Sequence, residues 1–525
     1  MHIKAMMVLV LVLILNVQPT AADQDQFKKV FQDLDHEFST VNRDSDEQKQ
    51  DFNKFRKVQE EAFQAFRDER DRDFTAFLKA EWEAFAEMQG LVRYTIPKPK
   101  VIPKASEVPD DRSVIPKGKN VKPVEPLTTP LPEAVPQPEP IPAPKSEPLT
   151  EPRPHLYGTL VEVMFYGLPV KVAYDPALTA TIADQADNDA ISTYWAKLSQ
   201  ADFESLIRQL GQIKDRLLLN DWGFFQFVDG FVHTIQPDTN SATLLTWFVL
   251  TKSGYRVKVG YSRNNIYLLA PTQGTIYEAP YYTLDGTRFY NISYLRNQGK
   301  PGTIYTYKKD YPGAERVLTL MLRNTPLTHA DKNLKTLNFR YNGQTYNIPA
   351  SFNLNTVRFY QAYPQTNWEV YLSAPVAPET ETSLVRALGK VVQGKSETEA
   401  VNMLLRFVQT AFKYQTDDDQ FGHEKYMFAE ETLFSRYSDC EDRATLFSSL
   451  VRRILGLDVI GLLYPGHAAT AVKFSGYVAG DAVTVNGERF VVCDPTYINA
   501  DIGLSMPQFK SVKPEVVRGA LKSML

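Results

Sequence analysis

Cysteine is scarce: the 525 residues contain two, Cys440 and Cys493, both near the C-terminal end. So few cysteines exclude a disulfide-stapled scaffold and leave one bridge or two free thiols. Charge of one sign is also lacking. A formal net charge of −4 gives no basic surplus for nucleic acid, so no nucleic-acid partner is expected. After residue 22 no run is apolar enough to span a membrane. Proline is missing from residues 23–90, where the sole glycine is Gly90, so nothing there breaks a helix. Aromatics are abundant, with 27 Tyr and 30 Phe, which suits a folded chain, and the length exceeds what one hydrophobic core serves.

Residues 1–22 read as a secretory signal peptide. Lys4 supplies the positive end, Ala5 to Leu15 the apolar stretch, and Thr20-Ala21-Ala22 the small-residue cleavage site. The apolar run is short for a bilayer anchor, and no cysteine follows it to carry a lipid. The mature chain is therefore expected to be secreted or periplasmic.

Phe52, Phe63, Phe74 and Phe85 are eleven residues apart, and Phe55, Phe66 and Phe77 follow the same step. Eleven residues make three helical turns at about 3.67 per turn, so the stripe stays in line along a long helix over 23–92. A stripe so narrow should meet another helix, by self-association or with a partner, as a coiled coil; the alternative is a lone helix lying on the chain's own domains. Residues 93–155 form a Pro-rich linker. Half of the 34 prolines fall between Pro97 and Pro154, and they forbid helix and sheet. An extended, semi-rigid spacer is expected there.

Beyond it the chain reads as α+β, with a mixed domain at 156–299, a β-rich domain at 300–380 and a second mixed domain at 381–525. Leu334 to Tyr341 followed by Asn342-Gly343 predicts a hairpin. The two mixed segments resemble each other. Ala242-Thr243-Leu244-Leu245 through Gly254 aligns with Ala444-Thr445-Leu446-Phe447 through Gly456, placing Asp238 opposite Cys440, Asn265 opposite His467 and Ser293 opposite Asp494. Either the first segment is a copy that kept the fold without these groups, or the similarity is the common helix-Gly-strand unit.

The chemistry concentrates in the second segment. Cys440, in Ser438-Asp439-Cys440-Glu441-Asp442-Arg443, opens an apolar helix capped by Asp439 or Ser438 and ended by Gly456. A helix N-terminus favours thiolate and offers N–H groups to an oxyanion. Glu441, Asp442 and Arg443 sit too close in sequence to act as the base and are expected to set the cap and local ion pairs. His467, after Tyr464-Pro465-Gly466, begins a β pattern and is the expected base; His423, in Phe421-Gly422-His423-Glu424, is the rival without a strand to place it. Asn486-Gly487 predicts a hairpin whose returning strand, Phe490 to Cys493, delivers Asp494 as the orienting acid. Alternation puts Phe490, Val492 and Asp494 on one face and Val491 and Cys493 on the other. Cys493 should then point away from Cys440, against a disulfide. Close ligand pairs for zinc are lacking among these Cys, His and Asp residues, and no metal or cofactor is expected.

Asp439-Cys440-Glu441-Asp442, the Tyr-Pro-Gly-His stretch ending at His467, and Asp494-Pro495-Thr496 together resemble the transglutaminase-like superfamily, in a secreted bacterial branch. The resemblance covers about Ser383 to Gly503. It implies a papain-like core with Cys440 as nucleophile, His467 as base and Asp494 as orienting acid; a true duplication would make the earlier mixed domain a degenerate copy of it. It also implies a protein or peptide substrate and a cysteine peptidase, amidase or acyltransferase activity; hydrolysis is favoured over amine transfer because nothing in the chain advertises a specific amine site and water is always present. Cell-wall peptide is one conceivable substrate. Arg443 and Ala468-Ala469 depart from the common pattern at positions expected to wall the groove, and Tyr414 and Tyr464 are expected to line it. The competing reading is a catalytically silent cell-envelope scaffold assembled through its helix and spacer.

Overall fold

The computed structural model describes residues 46–92, 97–105, 158–183, 185–293 and 302–519. The expected leader, the first part of the expected long helix (23–45) and most of the Pro-rich linker lie outside these residues. Among the described residues no helix is long and apolar enough to cross a membrane.

The first described element is helix α1 (Asp46–Ala80). It ends there rather than continuing to residue 92, and β1 (Glu83–Ala86) joins a sheet edge instead. The C-terminal part of the Phe stripe meets the chain's own fold. Phe74 and Leu78 are buried, and the Phe74 ring packs edge-on against Trp195 at 4.9 Å. Trp195 belongs to α2 (Asn188–Leu198), whose Asn188 Nδ2 donates to the Lys79 carbonyl at 2.6 Å. Buried Asp71 accepts from Tyr311 Oη at 2.9 Å and pairs with Lys252, so α1 is fixed by charge as well as by rings. Here the helix that meets the stripe is α2 of the same chain.

The first mixed unit packs α3 (Asp221–Ile235) and α4 (Thr239–Lys252) on a sheet of β2 (Lys258–Ser262), β3 (Asn265–Ala270), β4 (Tyr281–Leu284), β5 (Thr287–Asn291) and β6 (Thr303–Thr306). Its order is β1-β6-β2-β3-β5-β4, all pairs antiparallel.

Residues 300–380 do not form a β-rich domain of their own. β6 completes the first sheet. The ribbon β7 (Lys332–Tyr341) and β8 (Gln344–Asn353), turning at Asn342 (φ 49°) and Gly343 (φ 76°), lies on the second unit. A two-stranded ribbon cannot bury its own apolar face. Phe339 accordingly packs edge-on against Phe407 of α5 (Glu397–Ala411) at 5.6 Å.

The second unit holds α6 (Cys440–Leu455) against β9 (Val459–Tyr464), β10 (His467–Val472), β11 (Ala482–Val485), β12 (Glu488–Cys493) and β13 (Glu515–Arg518). The order β13-β9-β10-β12-β11 repeats, strand for strand, the order β6-β2-β3-β5-β4. In both, a helix ends on a left-handed glycine, Gly254 or Gly456, and feeds the second strand of that series. Asn265 opens β3 as His467 opens β10, and Ser293 follows β5 as Asp494 follows β12.

The two units share an aromatic seam. Phe428 stacks on Tyr360 at 4.4 Å and lies 4.5 Å from Tyr371, while Trp368 Nε1 donates to Thr445 Oγ1 of α6 at 3.0 Å. Gly461 in β9 has to be glycine, because a Cβ there would stand 2.5 Å from the Trp368 ring.

Beside the seam, buried Glu430 accepts the Ala377 N–H at 2.7 Å, and burial pushes its carboxyl up to about 7. An acid whose folded-state pKa is raised holds its proton more tightly when folded. Stability should therefore fall as pH rises from about 4.5 to about 7 and level off above. Glu430→Gln keeps the acceptor and removes the titration. Thermal melts from pH 4 to 8 should lose that slope, with a gain of about 3 kcal/mol at pH 8.

Candidate active site

Three elements carry the sequence-predicted residues: α6, β10 and the end of β12. Asp439 caps α6: its carboxylate accepts the Asp442 N–H, and Asp442 returns the bond to the Asp439 N–H at 3.2 Å. This reciprocal cap fixes where the helix starts and leaves Cys440 as its first residue. The hairpin of β9 and β10 turns through Gly466 (φ 70°) and pairs Tyr464 with His467. β12 pairs with β10 and ends beside the ring, so Asp494 emerges next to it.

His467 and Asp494 are both buried, and Nε2 lies 2.8 Å from Asp494 Oδ2. The other carboxylate oxygen, Oδ1, accepts the N–H groups of Thr496 at 2.9 Å and Tyr497 at 3.1 Å. The acid is thus fixed at both oxygens. Phe509 stacks on the imidazole at 5.1 Å, nearly parallel, and Tyr464 stacks 6.3 Å away, so ring planes as well as a hydrogen bond set the orientation.

Cys440 is buried and free, as is Cys493; no disulfide links them. Val491 and Cys493 pack with α6 in one core, and Phe490 and Val492 in another, as strand alternation requires. The Cys440 thiol donates to Glu441 Oε2 at 3.0 Å rather than to the imidazole. Burial, followed by the Glu441 carboxylate, pushes the thiol well above its ordinary range, with the Lys98 ammonium opposing. In this arrangement the thiol keeps its proton and donates it, as a hydrogen bond, to Glu441. His423 stays outside, exposed, its Nδ1 3.0 Å from the Phe421 carbonyl oxygen.

Arg443 does not wall a groove. It is fully buried, donating to Ser438 Oγ at 3.2 Å and to the carbonyls of Gln409 at 3.3 Å and Phe412 at 2.8 Å, and burial brings its guanidinium down to about 10. Gln409 in turn donates to the carbonyls of Asp494 and Ala500, both at 3.0 Å. One buried chain thus connects the thiol's helix, α5 and the loop of the acid. Ala468 and Ala469 are buried too, so they cannot shape a groove either. Tyr414 Oη reaches the carbonyl of Pro99 at 3.0 Å, in the Pro-rich segment.

Sequence reasoning missed Lys98. Its Nζ lies 2.7 Å from Glu441 Oε2 and 3.6 Å from Asp417 Oδ2, and it pairs directly with Asp439 and Glu424. Burial alone would strip this charge, but Glu441, Asp439 and Asp417 outweigh it and hold the amine well above its ordinary range. Proline spacing marked the segment only as a spacer; the signal for Lys98 was the acidic density facing it, in Asp417-Asp418-Asp419 and Asp439 to Asp442. Ligand atoms of Asp439, Cys440 and Glu441 lie within 4.8 Å of one another, as do those of Asp417, Asp439 and Asp442, so either set could hold a cation. The Lys98 ammonium supplies the positive charge there.

A helix that begins with a buried thiol packs on an antiparallel sheet that carries a His–Asp pair at its edge. Residues 386–495 match the transglutaminase-like superfamily, so the chain carries a transglutaminase-like domain at its C-terminus. Enzymes of this superfamily are generally cysteine-dependent acyltransferases or peptidases acting on proteins and peptides. No curated protein and no solved structure matches the chain.

Proposed function

We propose that the chain is an exported thiol enzyme that hydrolyses peptide or side-chain amides through Cys440, His467 and Asp494. The observation that carries this reading is the 2.8 Å pair of His467 Nε2 and Asp494 Oδ2 beside a helix that starts at Cys440. With Nε2 committed to the acid, Nδ1 is the nitrogen left to take the thiol proton. The thiol must first turn from Glu441 to the ring. The thiolate then attacks the amide carbon, and the first N–H groups of α6 stand where an oxyanion would form. Collapse breaks the C–N bond, the amine leaves with the proton carried by His467, and a thioester remains. Water, deprotonated by His467, attacks the thioester; the acid product leaves and the thiol is restored.

Water is the acceptor we propose because it is always present, whereas an amine acceptor would have to be delivered as the free base. The leader of residues 1–22 supports export. The recurrent strand order, with Asp238, Asn265 and Ser293 in place of the three reactive groups, supports a duplicated domain whose first copy kept the fold and not the chemistry. The scaffold reading is not favoured, because it leaves a buried His–Asp pair, on a strand packed against the thiol's helix, without a use.

The test is to trap the thioester. Full-length protein incubated with peptide extract from the source cell's outer layers should carry a hydroxylamine-labile acyl adduct on Cys440, seen by mass spectrometry. The adduct should be lost in Cys440→Ala. Turnover that survives Cys440→Ala would overturn the reading.

A further inference from the structure

We infer that Asp417, Glu424, Asp439 and Glu441 form a recognition pocket for a primary ammonium on an extended peptide, filled in cis by Lys98, so that residues 97–105 and a substrate compete for one site. The inference deepens the thiol-enzyme reading and rests on it for the word substrate, but the pocket is argued independently.

Lys98 is not a surface charge that found a partner. Its side chain is buried among the four carboxylates, of which Asp439 and Glu441 are almost wholly buried themselves. Gathering so many acids out of water is costly unless a cation meets them. A neutral occupant would leave that cost standing, which is the physical basis of selectivity for a cation.

The pocket is also in the right place. Glu441 Oε2 accepts both the Cys440 thiol at 3.0 Å and the Lys98 ammonium at 2.7 Å, so one oxygen links the occupant to the sulfur. From there the strap runs to the acid's side of the site. Pro97 and Pro99 keep Lys98 extended, and Tyr414 Oη donates to the Pro99 carbonyl at 3.0 Å. At the far end the Ala105 N–H donates to the Ile498 carbonyl at 2.9 Å, and Ile498 N–H to the Pro103 carbonyl at 3.2 Å, four residues beyond Asp494. Ala105 is buried with Tyr497, Ala500 and Met506. The segment is therefore pinned at one end by the carboxylates at the start of α6 and at the other by the loop that follows Asp494, a course an extended peptide could share. Water-facing anchors add little: Lys100 pairs with Asp419 in the open.

Two variants of the full chain vacate the site by different routes. Lys98→Glu adds a fifth acid to the pocket and expels the strap, and Ala105→Asp breaks the far anchor while leaving every carboxylate in place. The probe is a fluorescein-labelled decapeptide of residues 96–105, followed by anisotropy at equilibrium. Both variants should bind it at least about tenfold more tightly than the wild type, whose site is filled. Replacing the lysine equivalent to Lys98 by norleucine in the peptide should weaken binding about tenfold or more, whereas the same change at the Lys104 equivalent should not. Equal binding to wild type and both variants, or equal binding of the norleucine peptide, would overturn the inference. The readout needs no turnover. If the peptide behaves as stated and no adduct forms on Cys440, the pocket stands and the thiol-enzyme reading falls.

Discussion

Asp494→Asn should lower turnover of the trapped substrate by roughly 1,000- to 10,000-fold while leaving the melting temperature almost unchanged. Asp494 has two jobs. Oδ1 accepts the N–H groups of Thr496 and Tyr497, and Oδ2 stands 2.8 Å from His467 Nε2. An asparagine can keep its carbonyl on the loop, so the backbone stays in place, but it then turns an NH2 group towards Nε2. The ring answers by carrying its proton on Nδ1, the nitrogen that must take the thiol proton. The pair is lost as a base without being lost as a structure. Asp494→Ala should be equally inactive and also less stable, because two buried N–H groups lose their acceptor. Measuring kcat together with the melting temperature separates the two; an Asp494→Asn protein with wild-type kcat would remove the acid from the scheme.

Arg443→Ala should cost about 3–5 kcal/mol of stability, read as a lower denaturant midpoint at an unchanged m-value. The guanidinium is fully buried and serves Ser438, Gln409 and Phe412, spanning two helices and the turn before α6. Removing it leaves two carbonyls unpaired and opens a void beside Tyr414, whose ring lies 5.5 Å away. Arg443→Lys should recover little, because an ammonium cannot serve three separated acceptors from one planar group. A lower kcat should accompany the loss, since Gln409 carries the same network to the Asp494 carbonyl. A stability loss below about 1 kcal/mol, the midpoint shift multiplied by m, would mean that Arg443 is not the post on which the helices hang.

What could be read from the residues divides by range. Asp439, Gly456, Gly466 and Asn486-Gly487 each carry their own turn or cap chemistry, and α6, β10 and the β11–β12 hairpin fall where these signals put them. The meeting of His467 with Asp494 follows from that local chain and was legible. Lys98 was not: 341 residues separate it from Asp439, and polyproline composition describes a conformation, not a destination. Arg443 misled for a related reason. Its neighbours in sequence suggest a cleft, whereas its partners come from α5 and fix it inside. Periodicity likewise showed that α1 has an aromatic stripe, but Trp195 and Tyr311, which receive it, are set by tertiary packing. Residues 300–380 read as a domain because strands dominate them, yet a ribbon with one apolar face has to borrow a core.

The ring cluster around Phe428 bears on how the protein can be handled. A fragment starting at residue 386, where the superfamily match begins, would leave Tyr360, Trp368 and Tyr371 behind. Phe428 would then be bare to water, and the notch at Gly461, moulded to an indole, would stand empty. Such a piece should clump or melt before it could be assayed. The inert-looking half of this chain is therefore the mould in which its reactive half keeps its shape, and dissection at the family boundary would report on a damaged object.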